Sequence, residues 1–116
     1  MSKKKHLVLI LTEPTEGQEQ AYNDYYENLH LDEVLATTEL QTAQRFKLVG
    51  EAGEGCPLPY LAVYETEAED AQAVIDNLNA TRAGRQQSDS LNRRTGRVWV
   101  FEPTGPKHSK AESHAG

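Results

Sequence analysis

The chain has 116 residues, 18 acidic and 12 basic, and a formal charge of -6. That length holds one small domain with a modest core, and the acidic balance repels phosphate backbones, so nucleic acid is excluded as an expected partner. Cys56 is the only cysteine; it excludes an intrachain disulfide, argues against a cysteine-based metal site, and fits a reducing cytoplasm.

At the amino end, "MSKKKHLVLILTEP" imitates a signal peptide, because three lysines precede an apolar run. The run from Leu7 to Leu11 is too short for that role and meets Thr12, Glu13 and Pro14 in place of a small-residue cleavage site. It reads as a first strand, ended by Pro14. No stretch approaches the roughly 18 apolar residues that a membrane helix needs, so no membrane partner is expected. After Gly17 and up to about Leu35 the chain lacks proline and glycine, and Tyr22, Tyr25, Tyr26 and Leu29 recur at helical spacing, which predicts a first helix.

"TAQRFKLVG" alternates, with Thr42, Gln44, Phe46 and Leu48 on one face and Ala43, Arg45, Lys47 and Val49 on the other, and reads as a second strand. The glycine- and proline-rich "GEAGEGCPLP" is a loop. "YLAVYETE" is a third strand, apolar on both faces. Ala71, Val74, Ile75 and Leu78 then fall at i, i+3, i+4 and i+7 of a second helix, with Gly84 as its expected C-cap. "GRVWVFEP" is the last strand. The domain is expected over residues 1–104, and "GPKHSKAESHAG", without large apolar residues, predicts a disordered tail over 105–116.

The order β-α-β, loop, β-α-β predicts an α+β fold: a ferredoxin-like βαββαβ sandwich, with a four-stranded antiparallel sheet and both helices on one face. The other face is then bare. It carries either His6, Val8, Ile10, Ala62, Tyr64, Trp99 and Phe101 or the alternate set, and either is too apolar to leave in water. A second copy of the chain is the simplest cover, so a homodimer is expected.

The run "YNDYYENLHLDEVLATTELQTAQRF" resembles the signature of the EthD-like branch of the dimeric α+β barrel superfamily, in which an aromatic pair precedes a histidine and an A-x-R-F strand comes after it. Tyr25 and Tyr26 stand at the aromatic pair and His30 at the histidine. Glu33, Val34 and Leu35 match the helix end after that histidine, and Ala43, Arg45 and Phe46 match the strand. Asp32 replaces the family's proline, and "TEL" at 38–40 replaces its proline-glycine-aromatic turn, so no proline forces the chain out of the helical region after His30. The resemblance implies the ferredoxin-like fold and its pairing into a dimeric α+β barrel. The superfamily includes cofactor-free monooxygenases, lactone isomerases, polyketide cyclases and haem-degrading enzymes, and the fold does not choose among them.

The residues themselves suggest proton-transfer chemistry. On a continuous α-helix Tyr22, Tyr26 and His30 fall at i, i+4 and i+8, a single stripe of two phenols and an imidazole. Neutral imidazole exchanges a proton near pH 7, and a phenol donates a hydrogen bond to a developing enolate. His30, Tyr26 and Tyr22 are therefore the catalytic candidates. Glu33 is positioned to orient the ring, and Arg45 to hold a carboxylate or phenolate. Tyr64 and Trp99 complete the ligand-contact candidates, although core or dimer interface is the commoner role for them, as for Tyr60 and Phe101. The plainer alternative makes the tyrosines core and His30 a cap on helix-end carbonyls.

Arg82, Arg85, Arg93, Arg94 and Arg97 form a basic stretch that reads as a solvated face on an acidic chain, with an anionic ligand as the alternative. No P-loop, dinucleotide fingerprint, HExxH or zinc spacing is present, so neither a metal nor a cofactor is expected. The leading expectation is a cofactor-independent lyase, isomerase, cyclase or oxygenase acting on a small aromatic or polycyclic metabolite. A non-catalytic binding or assembly module is the second reading. A haem-handling protein with His30 as axial ligand is the third.

Overall fold

The structure is a computed structural model that describes residues 3–111. Strand β1 (Lys4–Thr12) leads into a helical run of three stretches, α1 (Glu19–Tyr25), a π-helical turn (Tyr26–His30) and α2 (Leu31–Thr37). Strands β2 (Thr42–Lys47) and β3 (Tyr60–Ala68) come next, then α3 (Ala71–Thr81) with a 3₁₀ turn over Arg82–Gly84, and β4 (Arg97–Phe101). The sheet order is β2-β3-β1-β4 with every pairing antiparallel. The molecule is thus an α+β fold with a four-stranded antiparallel sheet and two helical segments, compatible with a ferredoxin-like arrangement. No helix among the described residues is long and apolar enough to cross a membrane. Residues 102–111 are exposed and form neither helix nor strand; the rest of the expected tail, 112–116, lies outside the described residues.

The first helical run passes through Asp32 without interruption and reaches Thr37, where the Thr38 amide donates to the Val34 carbonyl at 3.1 Å. Neither proline nor glycine stands in its way, so nothing removes a backbone donor there. Asp70 starts α3 by accepting a hydrogen bond from the Ala73 amide at 2.8 Å. Gly84 is not the left-handed cap that its position suggests, since the positive-φ glycines are Gly17 and Gly53. The Arg85 side chain serves that end of the helix instead, donating to the Leu78 carbonyl at 3.0 Å and to the Thr81 hydroxyl at 2.8 Å.

One core joins both helical segments to one sheet face: Val8, Ala62, Tyr64 and Ala68 from the strands, Tyr22, Tyr26 and Val34 from the first run, and Val74 from α3. Register decides which residues reach it. Val8 lies opposite Tyr64 and Val100, and Ile10 opposite Ala62 and Val98, so these point toward the helices. Leu9 lies opposite Trp99 and Leu7 opposite Phe101, which sends that group to the other side. The apolar set expected on the bare face therefore divides. His6, Val8, Ile10, Ala62 and Tyr64 turn inward, while Trp99 and Phe101 join Leu7, Leu9 and Phe46 on the outer face.

Arg45 lies inside this core with its guanidinium 4.6 Å from the ring centre of Tyr26, 5.0 Å from that of Tyr60 and 5.2 Å from that of Tyr22. Its fork donates to Glu27 at 3.1 Å and to Asn23 at 2.9 Å, and its side chain is 6% exposed. Three ring faces and two charge-assisted bonds offset the desolvation of the cation. Replacing Arg45 with methionine is expected to cost about 2 kcal/mol in urea unfolding. Lysine is expected to recover less than half of that, because an ammonium lacks the planar fork. Unchanged midpoints would show that the charge contributes nothing.

Candidate functional site

The cavity of interest has a volume of about 320 Å³ and lies between the first helical run, β1, the end of α3 and the segment leading into β4. Its walls are apolar at Ile10, Val34, Leu78, Leu91 and Val98, and His30, Tyr25 and Tyr26 face it from the helix. Arg82, Arg85, Arg93 and Arg97 complete it from the far side.

The π-helical turn sets the geometry of the histidine. In an α-helix residues four apart share a stripe, whereas the wider turn brings i and i+5 into line. Tyr25 and His30 are five apart. Their rings stack, with centres 4.9 Å apart and planes 21° from parallel, and the Tyr25 hydroxyl lies 2.9 Å from His30 Nδ1. Tyr26 meets the same imidazole edge-on at 4.8 Å. Tyr25 is the residue that sequence reasoning did not select, because helical spacing singles out Tyr26.

The hydrogen bonds define the tautomer. The Tyr25 hydroxyl has one proton, and it is donated to the Gln86 carbonyl at 2.7 Å. The contact with His30 therefore has Nδ1–H donating to the phenol oxygen. Nε2 is left with its lone pair and makes no hydrogen bond among the described residues. Burial, and secondarily the Arg85 guanidinium, bring the His30 pKa down to about 4, so the ring is neutral at pH 7. Burial also raises Tyr25, with Glu33 adding to it, and pushes Tyr26 up to about 12, so both phenols keep their protons.

The other sequence candidates take different positions. Glu33 does not touch the imidazole: its carboxylate accepts from the Gln86 amide at 2.8 Å, and so holds the residue whose carbonyl accepts the Tyr25 hydrogen bond. The Tyr22 hydroxyl is paired with Thr12 beneath the helix, outside the cavity lining. Arg45 is committed to its tyrosine cage. Tyr64 is fully buried in the core, its hydroxyl without a partner among the described residues, and burial raises its pKa. Trp99, 42% exposed, is on the outer sheet face.

The arginine stretch, read from sequence as a solvated face, supplies four residues of the cavity wall, leaving Arg94 out. A pinned loop places Arg93 there. Thr15 donates from its amide to the Ser90 carbonyl at 2.6 Å and from its hydroxyl to the Asp89 carbonyl at 2.6 Å, and the Asn92 amide donates to the Glu13 carbonyl at 3.1 Å.

No family model matches the chain, and no curated protein or solved structure matches it at a significant level.

Two measurements check this site. In a Tyr25→Phe protein the acceptor for Nδ1–H is gone, and ¹⁵N shifts of His30 should move from a predominantly Nδ1–H ring toward the Nε2–H tautomer while the fold is kept; an unchanged tautomer would contradict the assignment. The second concerns pH. The folded state disfavours the imidazolium while the unfolded chain protonates near 6.5, so stability tied to His30 is complete above pH 6.5 and is lost as pH falls toward about 4. The slope is roughly 1.4 kcal/mol per pH unit. His30→Gln should lack that component, and urea titrations of both proteins across this window should therefore converge at acid pH. Parallel curves would refute it.

Proposed function

We propose that the protein is a cofactor-independent enzyme of the lyase, isomerase or cyclase type, in which His30 moves a proton on a small aromatic ligand seated in the cavity. The observation that carries this reading is a neutral imidazole with Nδ1 held by Tyr25 and Nε2 unpartnered among the described residues, on the wall of a partly apolar cavity. A volume of about 320 Å³ is at the small end of ligand pockets. Nε2 takes a proton from an acidic C–H or O–H bond, and the electron pair of that bond stays on the ligand as an enolate or phenolate. The imidazolium then returns the proton at another atom, so the cycle balances without a co-reactant. Tyr25 keeps the ring in its productive tautomer, and the Tyr26 phenol forms the wall beside it. Because a base of pKa about 4 is weak at pH 7, the reaction depends on the ligand to restore its strength.

The same proposal carries a homodimer, the dimeric form of an α+β barrel. Phe46, Trp99 and Phe101 are 47%, 42% and 50% exposed on one sheet face, with Leu7, Leu9, Leu61 and Val63 between them. Both signs of charge lie on that face, with Lys5 beside Glu65 and Glu67. A second copy applied about a two-fold axis would cover carbon with carbon and set unlike charges together.

The test is proton exchange. Small aromatic carbonyl and phenolic compounds incubated with the protein in D₂O should include one that gains deuterium at a single carbon. His30→Gln should slow that exchange by roughly a hundredfold or more with the melting temperature nearly unchanged. Equal exchange in the variant would move the assignment to a non-catalytic binding module. Light scattering checks the dimer: a particle of one chain mass, 12.9 kDa, at micromolar concentration would refute it.

A further inference from the structure

We propose that the cavity selects a small aromatic acid, whose carboxylate is held by Arg82 and Arg93 while its ring lies against Ile10, Leu91 and Val98. This deepens the His30 reading by naming the substrate class, and it rests on different residues.

The charge distribution is the first argument. The chain has 18 acidic residues, yet none among the described residues lines this cavity, while four of its six arginines do. Like charges gathered around one cavity repel one another, so an arrangement of this kind is stabilised by a counter-charge. The second argument is what each arginine already touches. Arg85 is occupied by Leu78, Thr81 and Thr37, and Arg97 makes a long contact, 3.5 Å, with the Thr95 carbonyl. Arg82 and Arg93 make no ion pair and no side-chain hydrogen bond among the described residues. The guanidinium fork matches a carboxylate in plane and spacing. Third, the loop that carries Arg93 is tied to Glu13 and Thr15 by hydrogen bonds, so its backbone is held beside the cavity.

A carboxylate in this seat also acts on the base. The groups around His30 are Tyr25 and Tyr26 from its own helix, Arg82 and Arg85 from the end of α3, Arg93 from the loop and Arg97 from β4, with Glu33 turned to the Gln86 amide. β1 contributes Ile10 and Thr12, neither of them charged. A bound anion would be the first negative charge among the cavity groups and would offset the guanidinium field that suppresses the imidazolium. The base would gain strength when the acid is present.

The experiment uses NMR of the full chain titrated with benzoate, benzamide and inorganic phosphate. Benzoate should produce saturable shifts at His30 and at the amides around Arg93, raise the His30 titration midpoint, and bind at least about tenfold tighter than benzamide. Phosphate, lacking the ring, should bind more weakly than benzoate. A protein with both Arg82→Gln and Arg93→Gln should keep its spectrum elsewhere and lose the preference for benzoate over benzamide. Equal affinities for the acid and the amide, tighter phosphate binding, no saturation with benzoate, or an unaltered preference in the double variant would each overturn the proposal. Repeating the titration with His30→Gln separates the two readings. Retained benzoate binding in a protein that exchanges no deuterium leaves the acid seat standing without the catalysis; lost selectivity with exchange intact removes the acid seat alone.

Discussion

The helix–sheet interface is filled with phenols, and the hydroxyls of Tyr22 and Tyr60 are bonded across it, while that of Tyr64 has no partner among the described residues. Tyr22, Tyr26, Tyr60 and Tyr64 occupy positions that leucine or valine would fill in a dry core. A tyrosine contributes a large apolar area but brings an oxygen that is costly to strand. The bonds that Tyr22 and Tyr60 make tie helix to sheet at defined points. Tyr22 pairs with Thr12 on β1, and Tyr60 on β3 donates to Glu19 at 2.7 Å and accepts from Asn23 at 3.3 Å. Arg45 then lies over three of the rings from β2. Aliphatic packing alone would let the helix rotate or slide by a fraction of a turn, whereas these bonds are directional and fix it.

The π-helical turn is a consequence of that anchoring. α1 is held at Glu19, Tyr22 and Asn23, and α2 is held at its far end, where the Arg85 guanidinium donates to the Thr37 hydroxyl at 3.1 Å. Between these points the backbone carries one wider turn, and the outcome is chemical. Tyr25 and His30 meet in a stacked, hydrogen-bonded pair, and a histidine that would otherwise choose between tautomers has one imposed on it. The imposed form leaves Nε2 unprotonated. Wider turns of this kind recur at functional sites because they shift side-chain register without breaking the helix.

Much of the fold was legible in the sequence because it depends on periodicity. The short apolar runs "HLVLILTE" and "YLAVYETE", the alternation in "TAQRFKLVG" and the 3.6-residue spacing of Ala71, Val74, Ile75 and Leu78 mark elements that lie where the pattern puts them. The division of the apolar residues between two sheet faces was not legible, since it depends on which β4 residue stands opposite Leu9, and pairing register is a tertiary quantity. His30 was visible as a candidate, but its partner was not. An α-helical count selects Tyr26, and no local signal in "DYYENLH" announces an extra residue in the turn. Arg45 illustrates a different limit: its alternating strand position indicates only which face it takes, and the three rings that enclose it come from two separate elements. The exposure of Arg82, Arg93, Arg94 and Arg97 was legible, because a basic run on an acidic chain reads as a solvated surface; that four of the stretch border one cavity depends on the loop bonded to Glu13 and Thr15 and is a tertiary fact.

The site is composite. The helix from the first β-α-β half supplies the imidazole and the ring that orients it, while the segment after α3 in the second half supplies the Gln86 carbonyl and the guanidinium groups. Two contacts join the halves at that point, Glu33 with the Gln86 amide and Arg85 with Thr37. Both are polar and close to the surface, so each is worth less to global stability than the phenol contacts deeper in the core. Their effect is on position. Loosening them would let the loop open locally while the sheet and its tyrosine-lined core stay folded, because local opening is governed by the few bonds that cross the seam and not by total stability. Such an opening would free the Tyr25 hydroxyl proton from Gln86, remove the constraint on the His30 tautomer and widen the cavity together. Under the proposed function, ligand entry and the state of the base would be coupled through Gln86, and the stable core could remain rigid while the site it supports admits a guest.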